Sequence, residues 1–79
     1  MNELSSHIVI DHEIRFGKPS IKGTRITVGD ILQWLSVGMT VQEILEDYPE
    51  LKQVHIQAAL AFAAERDVMT KVIVHETVA

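Results

Sequence analysis

The chain has 79 residues, no cysteine and a formal net charge of −4 at neutral pH, and hydrophobic residues make up 47% of it. A chain of this length forms one small domain, whose core rarely supplies more than about 3–5 kcal/mol of stability. Without cysteine, neither disulfides nor thiolate metal sites can add to that core. We therefore expect a single domain over residues 1–79 that forms a homodimer or binds an obligate partner.

Neither a targeting segment nor a membrane span is visible in the sequence. Residues 1–6 lack the basic start and the apolar stretch of a signal peptide. No apolar run approaches the roughly 18 residues that a membrane-spanning helix requires. We therefore expect a cytoplasmic protein without membrane contact.

Charge is unevenly divided along the chain. Residues 1–29 carry four cations against three acids, a net charge of +1, whereas residues 30–79 carry eight acids against three cations, a net charge of −5. The four cations are Arg15, Lys18, Lys22 and Arg25. They form either a solvated loop or a surface that binds phosphate. The overall acidity disfavours tight nucleic-acid binding by a monomer, whereas a dimer that presents two such surfaces favours it.

β-Branched and aromatic residues dominate the region before this basic cluster. Their even spacing predicts a strand over His7–Ile10 and a second short strand over Glu13–Phe16. Two short strands are marginally stable alone, so we expect them to pair with the same segment of a second copy. The predicted dimer contacts here are Ile8, Ile10 and Phe16.

The connector over residues 17–28 combines two glycines, one proline and three of the cations. Gly17 and Gly23 permit a positive φ, and Pro19 fixes its own φ near −65°. These residues predict an extended, turned segment of defined shape. The predicted strands and the connector together form the N-terminal part of the domain, residues 7–27, before the helical core.

Three amphipathic helices are predicted over residues 28–67, with apolar residues at i, i+3, i+4 and i+7 in the first two. Capping boxes at Thr27–Asp30 and at Thr40–Glu43 mark the starts of the first and second helices. The third helix is predicted from Leu51 to about Asp67. The short connection between the second and third helices, Tyr48 to Leu51, is typical of a helix-turn-helix pair. The fold class is therefore mainly α, a helix-turn-helix-like (homeodomain-like) core with short N-terminal strands. Trp34 lies off the apolar face, where it packs under the N-terminal segment or contacts a partner.

Catalysis and metal binding are poorly supported. The tightest group of titratable residues, Asp11, His12 and Glu13, is consecutive, so its side chains point in different directions. No serine has a base at motif spacing, and no phosphate-binding glycine loop occurs. We expect no enzyme activity, no metal and no cofactor.

Nucleic acid and protein are the remaining classes of partner. Gln53 and Gln57 at the start of the third helix could read base edges, or they are simply exposed polar residues. Four acids crowd the entrance to that helix and would repel a duplex: Glu43, Glu46, Asp47 and Glu50. Binding through the four N-terminal cations is therefore favoured over reading by the third helix.

Residues 68–79 are too apolar for a free tail. They form either a strand that returns to the N-terminal strands or a docking peptide for another protein. Acidic residues flank this segment, as suits a tail that covers a phosphate-attracting site. The partner contacts predicted here are Met69, Val72, Ile73 and Val74.

Several ordered motifs resemble a bacterial and archaeal family known as domain of unknown function 433. The motifs are Gly17-Lys18-Pro19, the run from Ile21 to Ile26, Gly38-Met39, the run from Glu43 to Pro49, Leu51, and the run from Ile56 to Ala61. The resemblance extends from about Ile14 to Ala64. One departure is Lys52, which stands where the family usually has a Thr or Ser helix cap.

The resemblance implies a helix-turn-helix-like fold and an antitoxin encoded beside a nuclease-like toxin of the PIN type. The expected function is therefore an antitoxin-like protein that neutralises such a toxin, with DNA binding for autoregulation left open. A stand-alone dimeric DNA-binding regulator is the alternative, and a dimeric domain with a structural role is a third interpretation.

Overall fold

The structure, a computed structural model, describes the backbone of residues 3–78 and the side chains of residues 4–66. The fold is mainly helical, with one two-stranded antiparallel sheet near the N-terminus. None of the helices in this described part is long and apolar enough to cross a membrane. The elements in chain order are a 3-10 helix (Glu3–His7), β1 (Ile8–Val9), a short turn (Arg15–Gly17), β2 (Ser20–Ile21), α1 (Val28–Ser36), α2 (Val41–Asp47) and α3 (Gln53–Val78).

The sheet forms within one chain. Ile8 of β1 lies opposite Ile21 of β2, and β2 also forms an isolated bridge with Thr27, just before α1. The strand predicted over His7–Ile10 is confirmed for its two central residues. Because β1 finds its partner in the same chain, strand pairing across a dimer stays a prediction.

The second predicted strand, Glu13–Phe16, is wrong. Arg15 and Phe16 have φ values of 50° and 61°, in the left-handed region that strands do not use. Even spacing favoured a strand here, but the side chain of Phe16 is 93% exposed and has no sheet to pack on. The strand beside β1 is instead β2, whose two residues are fully buried.

Reciprocal capping boxes begin α1 and α2, as the sequence predicts. The hydroxyl of Thr27 accepts from the N–H of Asp30 at 2.8 Å, and the Asp30 carboxylate accepts from the N–H of Thr27 at 3.1 Å. Thr40 and Glu43 form the same pair of bonds at 3.1 and 2.9 Å. Each box satisfies N–H groups that a helix start otherwise leaves unpaired.

The core lies between β2, the three helices and the turn that precedes α3. Its fully buried members are mostly isoleucines, and the partly buried Trp34, Tyr48 and Phe62 pack against it. Trp34 of α1 stacks on Tyr48, with ring centroids 4.1 Å apart and ring planes 12° apart. The buried cluster consists of Ile21, Ile26, Val28, Ile31, Ile44, Leu51, Ile56 and Ala59.

Helix α3 is longer than the sequence predicts. Its backbone stays helical to Val78, so the strand that was one alternative for residues 68–79 is wrong for residues 68–78. β-Branched residues lower helix propensity by only a few tenths of a kcal/mol each, and extending an existing helix requires no new nucleus. Four predicted partner contacts have side chains outside the described residues: Met69, Val72, Ile73 and Val74.

Candidate functional site

The connector forms a tight turn that presents cations at the surface. The N–H of Thr24 donates to the carbonyl of Ile21 at 3.0 Å, and Gly23 between them has a φ of 83°, as a type II turn requires. The Thr24 hydroxyl donates to the Ile21 carbonyl and accepts from the N–H of Ile26, both at 3.0 Å. Gly23 and Thr24 therefore fix the shape of the turn.

Three of the four predicted phosphate-binding cations are exposed on this connector. Lys22 lies within the turn, Arg25 directly follows it, and Lys18 precedes β2. Among residues 4–66, none of the three forms an ion pair with a carboxylate. We call Lys18, Lys22 and Arg25 the basic surface.

The fourth cation, Arg15, fastens the connector to α1. Its guanidinium donates from the same nitrogen to the Asp30 carboxylate and to the backbone carbonyl of Arg25, both at 3.0 Å. Burial raises the pKa of Asp30, but hydrogen bonds from Thr27 and Arg15 lower it by more, so its pKa lies below the ordinary value. Arg15 thus holds the basic surface in place and has its own carboxylate partner.

Three consecutive residues before the basic surface have a positive φ. The values are 50° for Arg15, 61° for Phe16 and 81° for Gly17. The N–H of Gly17 donates to the carbonyl of Ile14 at 3.1 Å, and the N–H of Lys18 donates to the carbonyl of Arg15 at 3.2 Å. We call Arg15–Gly17 the left-handed turn. Sequence reasoning assigned Phe16 to the core or a dimer, and no spacing signal indicates that this turn exposes it.

In contrast to the basic surface, a group of acidic side chains lies in and just after α2. Glu43, Glu46, Asp47 and Glu50 are all exposed, and within residues 4–66 no cation pairs with them. Hydrogen bonds from Thr40 lower the pKa of Glu43 below its ordinary value. We call these four residues the acidic corner.

At the start of α3, Lys52 occupies the cap position and His55, three residues later, accepts its backbone N–H. The N–H of Lys52 donates to Nδ1 of His55 at 2.9 Å, so the imidazole takes the part that Glu has in a capping box. His7 packs edge-on against His55, with centroids 5.4 Å apart. Burial first, and then the charges of His7 and Lys52, lower the pKa of His55. This arrangement assigns His55 a structural role.

The other predicted site residues lie on separate elements. Gln53 and Gln57 are exposed one helical turn apart on α3, and Ile10 is 63% exposed after β1. Ile8 and Trp34 are half-buried against the core. The cations thus follow one another on one short segment, whereas the two glutamines lie on α3.

A shallow apolar groove separates the first 3-10 helix from α3. It is lined by Leu4, Ser5, Ile8, Ala58, Ala61, Phe62 and Glu65. Within the described residues, no three His, Asp or Glu side chains are close enough together to hold a metal ion.

Comparison with known proteins identifies a family and a fold. Residues 8–63 match the model of the family described as Protein of unknown function (DUF433). The crystal structure of a DUF433 member protein from Anabaena variabilis is similar, with a TM-score of 0.74 and 23% sequence identity. The match covers 87% of this chain and 68% of that chain, and at this identity it shows the fold alone. No curated protein matches the chain.

Proposed function

The chain belongs to the DUF433 family of proteins of unknown function, and we propose that it is an antitoxin-like protein that binds and neutralises a nuclease-type toxin of the PIN class. The observation that carries this proposal is the acidic corner. Its four carboxylates are exposed, and residues 4–66 provide them with no cationic partner. A nuclease attracts phosphate to its active site, so a surface rich in carboxylates complements it.

The length of α3 supports the same proposal. The last described residue of α3 that packs against the core is Phe62, and the helical backbone continues to Val78. Sixteen further residues, at about 1.5 Å of rise each, extend the helix by roughly 24 Å. An extended helix suits binding in a groove of a partner protein.

DNA binding is a second candidate, and the basic surface favours it. Its three exposed cations have no carboxylate partner within residues 4–66, and Arg15 holds the segment against α1. In this candidate the protein is a helix-turn-helix-like, dimeric, cytoplasmic regulator. Gln53 and Gln57 would then supply base contacts from α3, and the basic surface would bind the DNA backbone.

The first test is co-purification of the native protein from its own cells at moderate salt, followed by mass identification of what accompanies it. We expect a stoichiometric, small, nuclease-like protein. Salt-sensitive retention of DNA that is lost in the Arg25→Ala variant, with no protein partner, would instead support the stand-alone regulator.

The acidic corner is tested by nuclease inhibition with the identified partner. Glu46→Lys should slow association and weaken inhibition, because it places a cation where the partner's basic site must bind. Glu13→Lys is the matched control, since it makes the same charge change at an exposed position outside the corner. Equal inhibition by both variants would contradict the proposed contact.

The C-terminal part of α3 is tested by a chain that ends at Arg66. All described core residues lie at or before Phe62, so the shortened chain should keep its core and its circular dichroism in proportion to its length. We expect it to lose toxin inhibition. Full inhibition by this chain would refute an inhibitory role for residues 67–79.

A further inference from the structure

Phe16 is the residue whose conformation the fold explains least. Its side chain is 93% exposed, and its φ of 61° is unfavourable for a bulky residue. Arg15 shares this conformation but gains the bond to Asp30, whereas an exposed phenyl ring gains no packing. Residues held in unfavourable backbone conformations are concentrated at functional sites.

The left-handed turn places Phe16 beside the basic surface. The N–H of Lys18 donates to the carbonyl of Arg15, and the guanidinium of Arg15 donates to the carbonyl of Arg25. Residues on both sides of Phe16 are therefore tied to the connector that carries the cations. The exposed Phe16 therefore lies in the same tied segment as Lys18 and Arg25, which have no carboxylate partner within residues 4–66.

We propose that Phe16 and the basic surface together bind single-stranded nucleic acid. Phe16 stacks on an unpaired base, and Lys18, Lys22 and Arg25 contact the phosphates on either side. The inference rests on the DNA-binding candidate, because both need the basic surface, but it assigns a different class of ligand. It also assigns Phe16 a function that does not require a dimer.

An exposed ring on a turn favours a single strand over a duplex. In a duplex, neighbouring bases cover both faces of each base, so a phenyl ring on a loop has no face on which to stack. An unpaired base offers its π-face to an aromatic side chain, and adjacent cations follow the backbone. A protein partner would have to supply both an apolar pocket for Phe16 and acids for three cations.

The test measures fluorescence anisotropy of a labelled, mixed-sequence oligonucleotide, as a single strand and as a duplex of the same sequence. We expect the full chain to bind the single strand more tightly. Phe16→Gly should weaken single-strand binding by about 5- to 100-fold, the usual effect of removing one stacking contact, and should leave duplex binding unchanged. Arg25→Ala should weaken binding of both.

Phe16→Gly is the informative variant because it separates binding from folding. Glycine adopts a positive φ without strain, and the exposed ring leaves no cavity behind. The melting temperature of this variant should therefore rise while its affinity falls. Val37→Ala, which shortens another exposed apolar side chain at the far end of α1, is the control and should change neither affinity.

Three results would overturn the inference, and they differ in what survives. If Phe16→Gly binds the single strand normally while Arg25→Ala weakens both ligands, the basic surface binds nucleic acid without Phe16. If neither oligonucleotide binds, the DNA-binding candidate fails as well. If Phe16→Gly changes only the oligomeric mass measured by light scattering, Phe16 is a contact between copies of the chain.

Discussion

Residues 27–62 and residues 10–25 differ in what holds them in place. In the first region, caps within each helix and a shared isoleucine core fix every element. In the second, only β2 is buried against the core, backbone turns and one bridging guanidinium hold the rest, and the largest apolar side chain, Phe16, faces solvent. The buried core of the helical region therefore stabilises the fold, and residues 10–25 present an irregular, charged surface.

The largest contrast between the regions should appear when apolar side chains are shortened. Ile44→Ala removes a fully buried side chain from α2 and should lower the free energy of unfolding by about 2–5 kcal/mol. Phe16→Ala removes a larger side chain from the left-handed turn but should change the free energy of unfolding by less than about 0.5 kcal/mol. Urea denaturation measures both values. A comparable loss in the two variants would show that Phe16 is buried in solution.

A smaller effect should distinguish two glycines. Gly23→Ala forces a side chain into a backbone with a φ of 83°, so it should destabilise the protein by about 1–2 kcal/mol, although nothing obstructs a methyl group there. Gly29→Ala, in the first turn of α1, should be neutral or stabilising by up to about 1 kcal/mol. Thermal melts of the two variants should shift in opposite directions, and shifts of the same sign would contradict the assigned turn.

Lowering the pH should cause the smallest of the expected losses of stability. It should act first through His55, at the start of α3. The pKa of His55 lies below its ordinary value of 6.5, so below pH 6.5 the unfolded chain binds more protons and stability falls. The pKa values of Glu43 and Asp30 are also lowered, from ordinary values of 4.5 and 3.8. A second loss of stability should therefore begin below about pH 4.5.

The control for this pH dependence is His55→Gln. A glutamine three residues after the cap can accept the N–H of Lys52 as the imidazole does, but it does not titrate. Its stability should therefore fall less between pH 6.5 and pH 5 than that of the natural chain. An unchanged slope in this variant would show that His55 is not the source of the effect.

The candidate site was only partly predictable. The sequence predicted that four cations form one cluster, and three of them are exposed on a segment whose turn Gly23 marks. The role of Arg15 could not be predicted, because its partner Asp30 lies fifteen residues away and already belongs to a capping box. The same holds for His55, which caps a helix through a residue type that helix-start rules do not include.

What the sequence alone determined was local. Caps, helix phases and the turn at Gly23 depend on residues within about four positions of one another, so their hydrogen bonds can be inferred from spacing. Tertiary structure decided which segment pairs with β1, that Phe16 faces solvent, and that Arg15 joins the connector to α1. These outcomes depend on burial and charge between distant residues, and even spacing cannot show whether a neighbour is there to bury a side chain.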